Sequence, residues 1–193
     1  MMLEILLIGG GGHCRSVIDV IESEGKYTIV GIVDKQENVG MDVLGYKIIG
    51  SDDDLKELSK IYKNVCISVG QIKTPALRVK LFHLCKELGF ELPSIISPIA
   101  YVSRHATVAE GTVIMHGAIL NADVSIAENC IINSRALIEH DSSVAAHCHI
   151  STGVIINGGV KIEECCFIGS STVIKEGMIV KENSFIKIGS IVI

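Results

Sequence analysis

A chain of 193 residues holds one domain of ordinary size or two small ones, and a single core of that length buries roughly 70% of the unfolded surface. Hydrophobic residues make up 48% and charged ones 20%, which excludes a disordered chain; with 4% aromatics and no Trp, the core has to come from Ile, Val, Ala and Cys. The formal net charge of -5 supplies no basic field for nucleic acid or an anionic membrane.

The first half alternates short aliphatic runs with amphipathic stretches. Leu3 to Ile8 reads as a strand, His13 to Glu24 as a helix and Thr28 to Asp34 as a second strand. Ser51 begins and caps a further helix, with Asp54 completing a capping-box pattern. Val65 to Val69 is the next strand, and Pro75 opens a helix that runs to about Leu88 before Gly89 closes it. This alternation predicts an α/β N-terminal βαβ (Rossmann-like) domain over residues 1–96, built on a small parallel sheet.

After about Pro98 the period changes to six. Sixteen consecutive aliphatic positions at that spacing run from Val102 through Ile138 and Ile156 to Val192. Chance at the chain's own hydrophobic rate is on the order of 10⁻⁵, so this is a repeat. Two residues before each lies mostly Ala, Thr, Cys, Ser or Val. Such hexapeptides form the flat sides of a left-handed parallel β-helix, with the aliphatic residue inside, the small one at the corner and three sides to a coil of 18 residues. Residues 97–193 are expected to form this second domain, of about five coils. Its flat faces suit a cyclic trimer.

Gly9-Gly10-Gly11-Gly12-His13 lies between the first strand and first helix, where backbone N–H groups and the helix N-terminus favour an anion. Asp34 closes the second strand, placed to accept hydrogen bonds from a ribose or base. The full dinucleotide fingerprint needs Gly where Cys14 stands, so a redox cofactor is not expected, and a tight turn without a ligand also accounts for the glycines. In the β-helix, Ile138 takes the inside position and leaves Glu139, His140 and Asp141 outward. Gly158, 18 residues on, should sit across from His140 on the next coil and offer a backbone N–H. A base beside such a donor is the minimum kit for acyl transfer. On an ideal strand Asp141 points away from its neighbour, so it assists His140 only if the chain turns a corner there; otherwise Glu139 or another subunit orients the ring.

His147-Cys148-His149 raises a metal reading, with both histidines able to reach a face shared between subunits, but no metal is expected. His83, His105 and His116 have no acidic or histidine partner nearby in sequence and read as solvated surface. The seven cysteines form no C-x-x-C pair and read as small buried residues. No apolar run reaches the ~18 residues of a membrane span, and the N-terminus carries an acid where a signal peptide has cations, so the expected location is cytoplasmic.

The order of these features, G-x-x-G-H at Gly9 to His13, Asp34, S-V-G-Q at Ser68 to Gln71, N-S-R-A-L-I-E-H-D and H-I-S-T-G-V, resembles bacterial sugar acetyltransferases over essentially the whole chain. That family groups sialic acid O-acetyltransferases with N-acetyltransferases of nucleotide-linked 4-amino sugars. The resemblance implies nucleotide or sugar contacts at Gly10, Gly12, His13 and Asp34, and acetyl-CoA held between subunits of a homotrimer. It further implies His140 as general base tuned by the following acid, Asp141, with His149 near the thioester and the Gly158 N–H on the carbonyl. Members usually continue past the last coil into a Gly-x-Pro-Ala segment, whereas this chain stops at Ile193. The expected reaction is acetyl transfer to the 4-amino group of a nucleotide-linked amino sugar. The alternatives are O-acetylation of sialic acid, a trimeric β-helix metal lyase with zinc or iron, and a non-catalytic nucleotide-sugar sensor.

Overall fold

The computed structural model describes residues 2–193. Its first part is a five-stranded sheet of β1 (Leu3–Ile8), β2 (Tyr27–Val33), β3 (Asp42–Val43), β4 (Tyr46–Gly50) and β5 (Asn64–Ile67), in the order β3-β4-β2-β1-β5. The helices are α1 (Gly12–Glu24), the single turn α2 (Leu55–Leu58) and α3 (Ala76–Glu87). Strand β1 lies between β2 and β5, and its side chains alternate between two cores. Ile5 and Leu7 pack with Val17, Ile18 and Ile21 of α1, while Leu6 and Ile8 pack with Leu81, Phe82 and Cys85 of α3.

The sheet is parallel except at its edge, where β3 and β4 form an antiparallel hairpin. Sequence periodicity misses this hairpin because its arms are too short to show a pattern. The turn is carried by Leu44 and Gly45, both at positive φ (49° and 87°). Ser51 makes the expected capping box with Asp54, but the helix it starts is a 3-10 turn at Asp52–Asp54 followed by α2.

From Ile95 the chain winds into a left-handed β-helix, whose two-residue strands run from β6 (Ile95–Ile96) to β22 (Ile191–Val192) in three parallel sheets. Register between coils is 18 residues: Leu120, Ile138, Ile156 and Ile174 pair in turn. The inner aliphatic column is the core, fully buried from Ile114 to Val180. Every sixth residue from Gly111 to Gly189 has a positive φ, between 55° and 68°, and these are the prism corners. Gly, Asn and Asp fill most of them, the residues that tolerate this conformation best.

The small corner positions also satisfy backbone carbonyls. Cys130, Cys148 and Cys166 stack in one column and donate Sγ–H to the carbonyls of Ala145, Glu163 and Lys181, each at 3.1 Å. Thr112, below them in the column, does the same to Ala127 at 2.8 Å. The two parts of the chain share core residues, since Ile95, Val113 and Met115 pack with α1. Arg78 of α3, 1% exposed, reaches across and donates to the carbonyls of Ile67, Val69, Asn129 and Gly111. No helix among the described residues is long and apolar enough to cross a membrane.

Candidate active site

The corner after β13 (Leu137–Ile138) places His140 outward and turns the chain at Asp141, whose φ is 60°. That turn lets adjacent side chains meet: the ring N–H at Nδ1 of His140 donates to Asp141 Oδ2 at 2.7 Å. The hydrogen bond and charge of Asp141 raise the imidazole pKa, with a smaller through-space contribution from Glu139. Nε2 is left free to take a proton. Glu139 does not touch the ring; its Oε2 accepts a 2.7 Å bond from Asn121 on the coil below. The expectation that Glu139 could orient His140 gives way to Asp141 for that reason.

Gly158 lies directly above. A Cβ built there would come within 2.8 Å of His140 Cε1 and 3.0 Å of Nε2, so only glycine leaves the ring this position. The Gly158 carbonyl accepts Gly177 N–H, while its own N–H is claimed by no group among the described residues. A basic imidazole and a free backbone donor thus share one corner.

The Gly-rich turn builds a second site, a cavity of about 690 Å³ lined by Gly9 to His13, Asp34, Lys35 and Asn38. Gly11 caps α1 and Gly12 begins it; both line the cavity with open space where a side chain would stand, and their N–H groups have no acceptor among the described residues. Gly10 has a different task. Its N–H donates to Asp34 Oδ2 at 3.1 Å, and a Cβ would sit 2.7 Å from that oxygen. Asp34 also accepts from Asn38 Nδ2 and from Lys35 N–H, so this carboxylate organises the turn as well as lining the pocket.

A third cavity, about 530 Å³, lies between the loop after β5 and the outer face of β15 (His149–Ile150) and β18 (Phe167–Ile168), with His13, Gln71, Asn133, Phe185 and Lys187 in its wall. His149 is buried and both ring nitrogens are engaged. Nδ1–H donates to the Gln71 carbonyl and Nε2 meets Asn133 Nδ2 at 3.2 Å. Burial holds its pKa down at about 4, and that of His13 at about 3. Neither is a base in this state.

His147 and His149 pack against the N-terminal part of their own chain: His147 bonds Asn129 Nδ2 at 3.0 Å, its carbonyl accepts Gln71 Nε2–H at 2.8 Å, and its ring packs edge-on against Phe82. One expectation for a histidine changes. His116 is not simply solvated, because it accepts Ser97 Oγ–H at Nδ1 (2.7 Å) and donates from Nε2 to Asp19 of α1 at 2.8 Å. Asp19 is 97 residues away in sequence, which hid the partner. Among the described residues, no group of three or more His, Cys, Asp or Glu side chains is arranged to hold a metal ion.

The structure therefore brings His140, Asp141 and Gly158 together, gathers Gly10, Gly12, His13 and Asp34 around the Gly-rich cavity, and sets His149 beside His13 at the third. The His140 corner shares no lining residue with either cavity. Gln71 and Arg78 are the residues that sequence reasoning passed over; the S-V-G-Q motif signalled the first.

The fold is an α/β domain followed by a left-handed β-helix of hexapeptide repeats, and known proteins share it over nearly the whole chain. Residues 4–83 match the PglD N-terminal domain family. Over its whole length the chain is similar to the acetyltransferase domain of PglB from Neisseria gonorrhoeae, at 26% identity and a TM-score of 0.91, covering 98% of this chain and 91% of that one. The same domain solved in complex with acetyl coenzyme A gives 27% and 0.90, over 100% and 93%. A variant of perosamine N-acetyltransferase from Caulobacter crescentus, in complex with CoA and GDP-perosamine, gives 28% and 0.72, over 99% and 93%. No curated protein matches the chain significantly. The resemblance to bacterial sugar acetyltransferases read from the sequence is borne out by these likenesses.

Proposed function

We propose that the chain is a cytosolic acetyltransferase that moves acetyl from acetyl-CoA to the 4-amino group of a nucleotide-linked amino sugar. The observation that carries this reading is the His140–Asp141–Gly158 corner. The acceptor nitrogen attacks the thioester carbonyl as Nε2 of His140 takes its proton, Asp141 stabilises the imidazolium, and the Gly158 N–H holds the oxyanion until the CoA thiolate leaves. The Gly-rich cavity suits the nucleotide diphosphate, on the free N–H groups of Gly11 and Gly12, and the cavity beside His149 suits the thioester arm.

The working unit in this reading is a homotrimer. The His140 corner stands apart from both cavities of its own chain, so a neighbour completes each site. The first residues of the strands in one sheet, Tyr101, Ile119, Leu137, Ile155, Val173 and Ile191, stack 18 apart and point outward. Ile119, Ile155 and Ile191 are 38%, 37% and 74% exposed. A continuous apolar column on a flat face favours burial against another copy, and His140 lies at the edge of that face.

The test is mass-spectrometric detection of acetyl transfer from acetyl-CoA to a panel of nucleotide 4-amino sugars and free or CMP-linked sialic acid. The expected product is one amino sugar gaining an acetyl group. Product on sialic acid alone would make the enzyme an O-acetyltransferase, and no product on any acceptor would favour a non-catalytic sensor.

A further inference from the structure

The wall between the Gly-rich cavity and the cavity beside His149 contains two buried polar atoms with no hydrogen-bond partner among the described residues, Nε2 of His13 and Oε1 of Gln71. Gln71 is 2% exposed, and its amide has only one workable orientation. Nε2 donates to the His147 carbonyl at 2.8 Å, and a flipped amide would set oxygen against oxygen. The orphan is therefore a carbonyl oxygen, which can only accept.

The loop that carries it is pinned. The Gln71 backbone carbonyl accepts His149 Nδ1–H, and Arg78 holds the Val69 carbonyl at 2.9 Å. On the other side of the wall, a Cβ at Gly70 would come within 3.2 Å of His13 Cβ, so glycine there allows the loop and α1 to close on each other. His13 faces both cavities and follows directly on Gly11 and Gly12. Folded proteins leave few buried polar atoms unpaired, and each that persists calls for a specific cause.

We propose that Gln71, together with His13, selects the sugar of the nucleotide-linked substrate by accepting a hydrogen bond from an O–H or N–H substituent next to its glycosidic phosphate. This rests on the nucleotide-sugar reading above. With the diphosphate on the first turn of α1, the sugar attached to it meets His13 and Gln71 next on its way to the acetyl donor. Both atoms are shielded from solvent, so a substrate that offers no donor leaves the carbonyl unpaired, and such sites reject the analogue lacking the group.

The test is calorimetric titration, without acetyl-CoA, of wild type and Gln71→Leu with nucleotide sugars carrying hydroxyl, acetamido or only hydrogen beside the anomeric carbon. Wild type is expected to bind one of the donor-bearing sugars at least about tenfold more tightly than the deoxy sugar, and Gln71→Leu to lose that preference. The hydroxyl and acetamido arms show which donor is read. No preference in wild type, or a preference that survives in Gln71→Leu, would overturn the assignment. Should Gln71→Leu fail to fold, His13→Leu carries the same test. It removes an unpaired ring nitrogen, so it is expected to melt no lower than wild type while losing the preference. Absence of binding by all three sugars would overturn the nucleotide-sugar reading itself.

Discussion

Gly158 lies against the imidazole of His140, close enough that a methyl group there would press on Cε1 at 2.8 Å. The contact joins a base to a free backbone donor across one coil spacing. Gly158→Ala is expected to push the ring off its bond with Asp141 and lower kcat about 10²-fold, with Tm unchanged because His140 is exposed and can swing into solvent. Steady-state kinetics beside a thermal melt check both halves.

Asp141 raises the pKa of His140, and a general base there would work only when neutral, so activity is expected to fall on the acid side as pH drops through that raised value. Asp141→Asn tolerates the positive φ but removes the charge. It is expected to move the acid limb of the kcat profile to lower pH while reducing the plateau by roughly tenfold, since a less basic imidazole takes the proton less readily.

Buried neutral histidines make the fold acid-sensitive. His149 and His13 have folded pKa values depressed to about 4 and about 3, so between these and about 6.5 the unfolded chain binds more protons and stability falls as pH drops. Between pH 7 and pH 5 the two together lose on the order of 4 kcal/mol. Denaturant midpoints at pH 7 and pH 5 should differ, and His149→Gln should reduce the difference.

Arg78 donates to four carbonyls with no carboxylate beside it. Arg78→Met leaves those carbonyls unpaired at the junction of the two parts and is expected to cost about 3 kcal/mol or more; Arg78→Lys recovers little, since an ammonium cannot span the same four acceptors. Urea unfolding measures it.

Charge on the apolar column should separate subunits. Leu137→Lys is expected to yield folded monomers by light scattering that have lost transfer although His140 and Gly158 are intact. A monomer with full turnover would contradict the shared site.

Much of this was legible in the sequence, for a physical reason. A β-helix repeats every six residues and stacks every 18, so Ile138 was placed inside and Gly158 beside His140 by counting alone. The same rule pairs Asn121 with Glu139, and it exposes the outward column at residues 101, 119 and 137. The His140–Asp141 contact depends on Asp141 being a left-handed corner, which strand alternation does not reveal. Arg78 with Asn129, and Asp19 with His116, join residues 51 and 97 apart through tertiary packing, and no local pattern records that.

Turnover of His140→Ala with acetyl-CoA and a nucleotide amino sugar, beside light scattering of the same sample, decides whether His140 is the general base. A general base there requires a loss on the order of 10²-fold or more with the trimer intact. Turnover near that of wild type would contradict it.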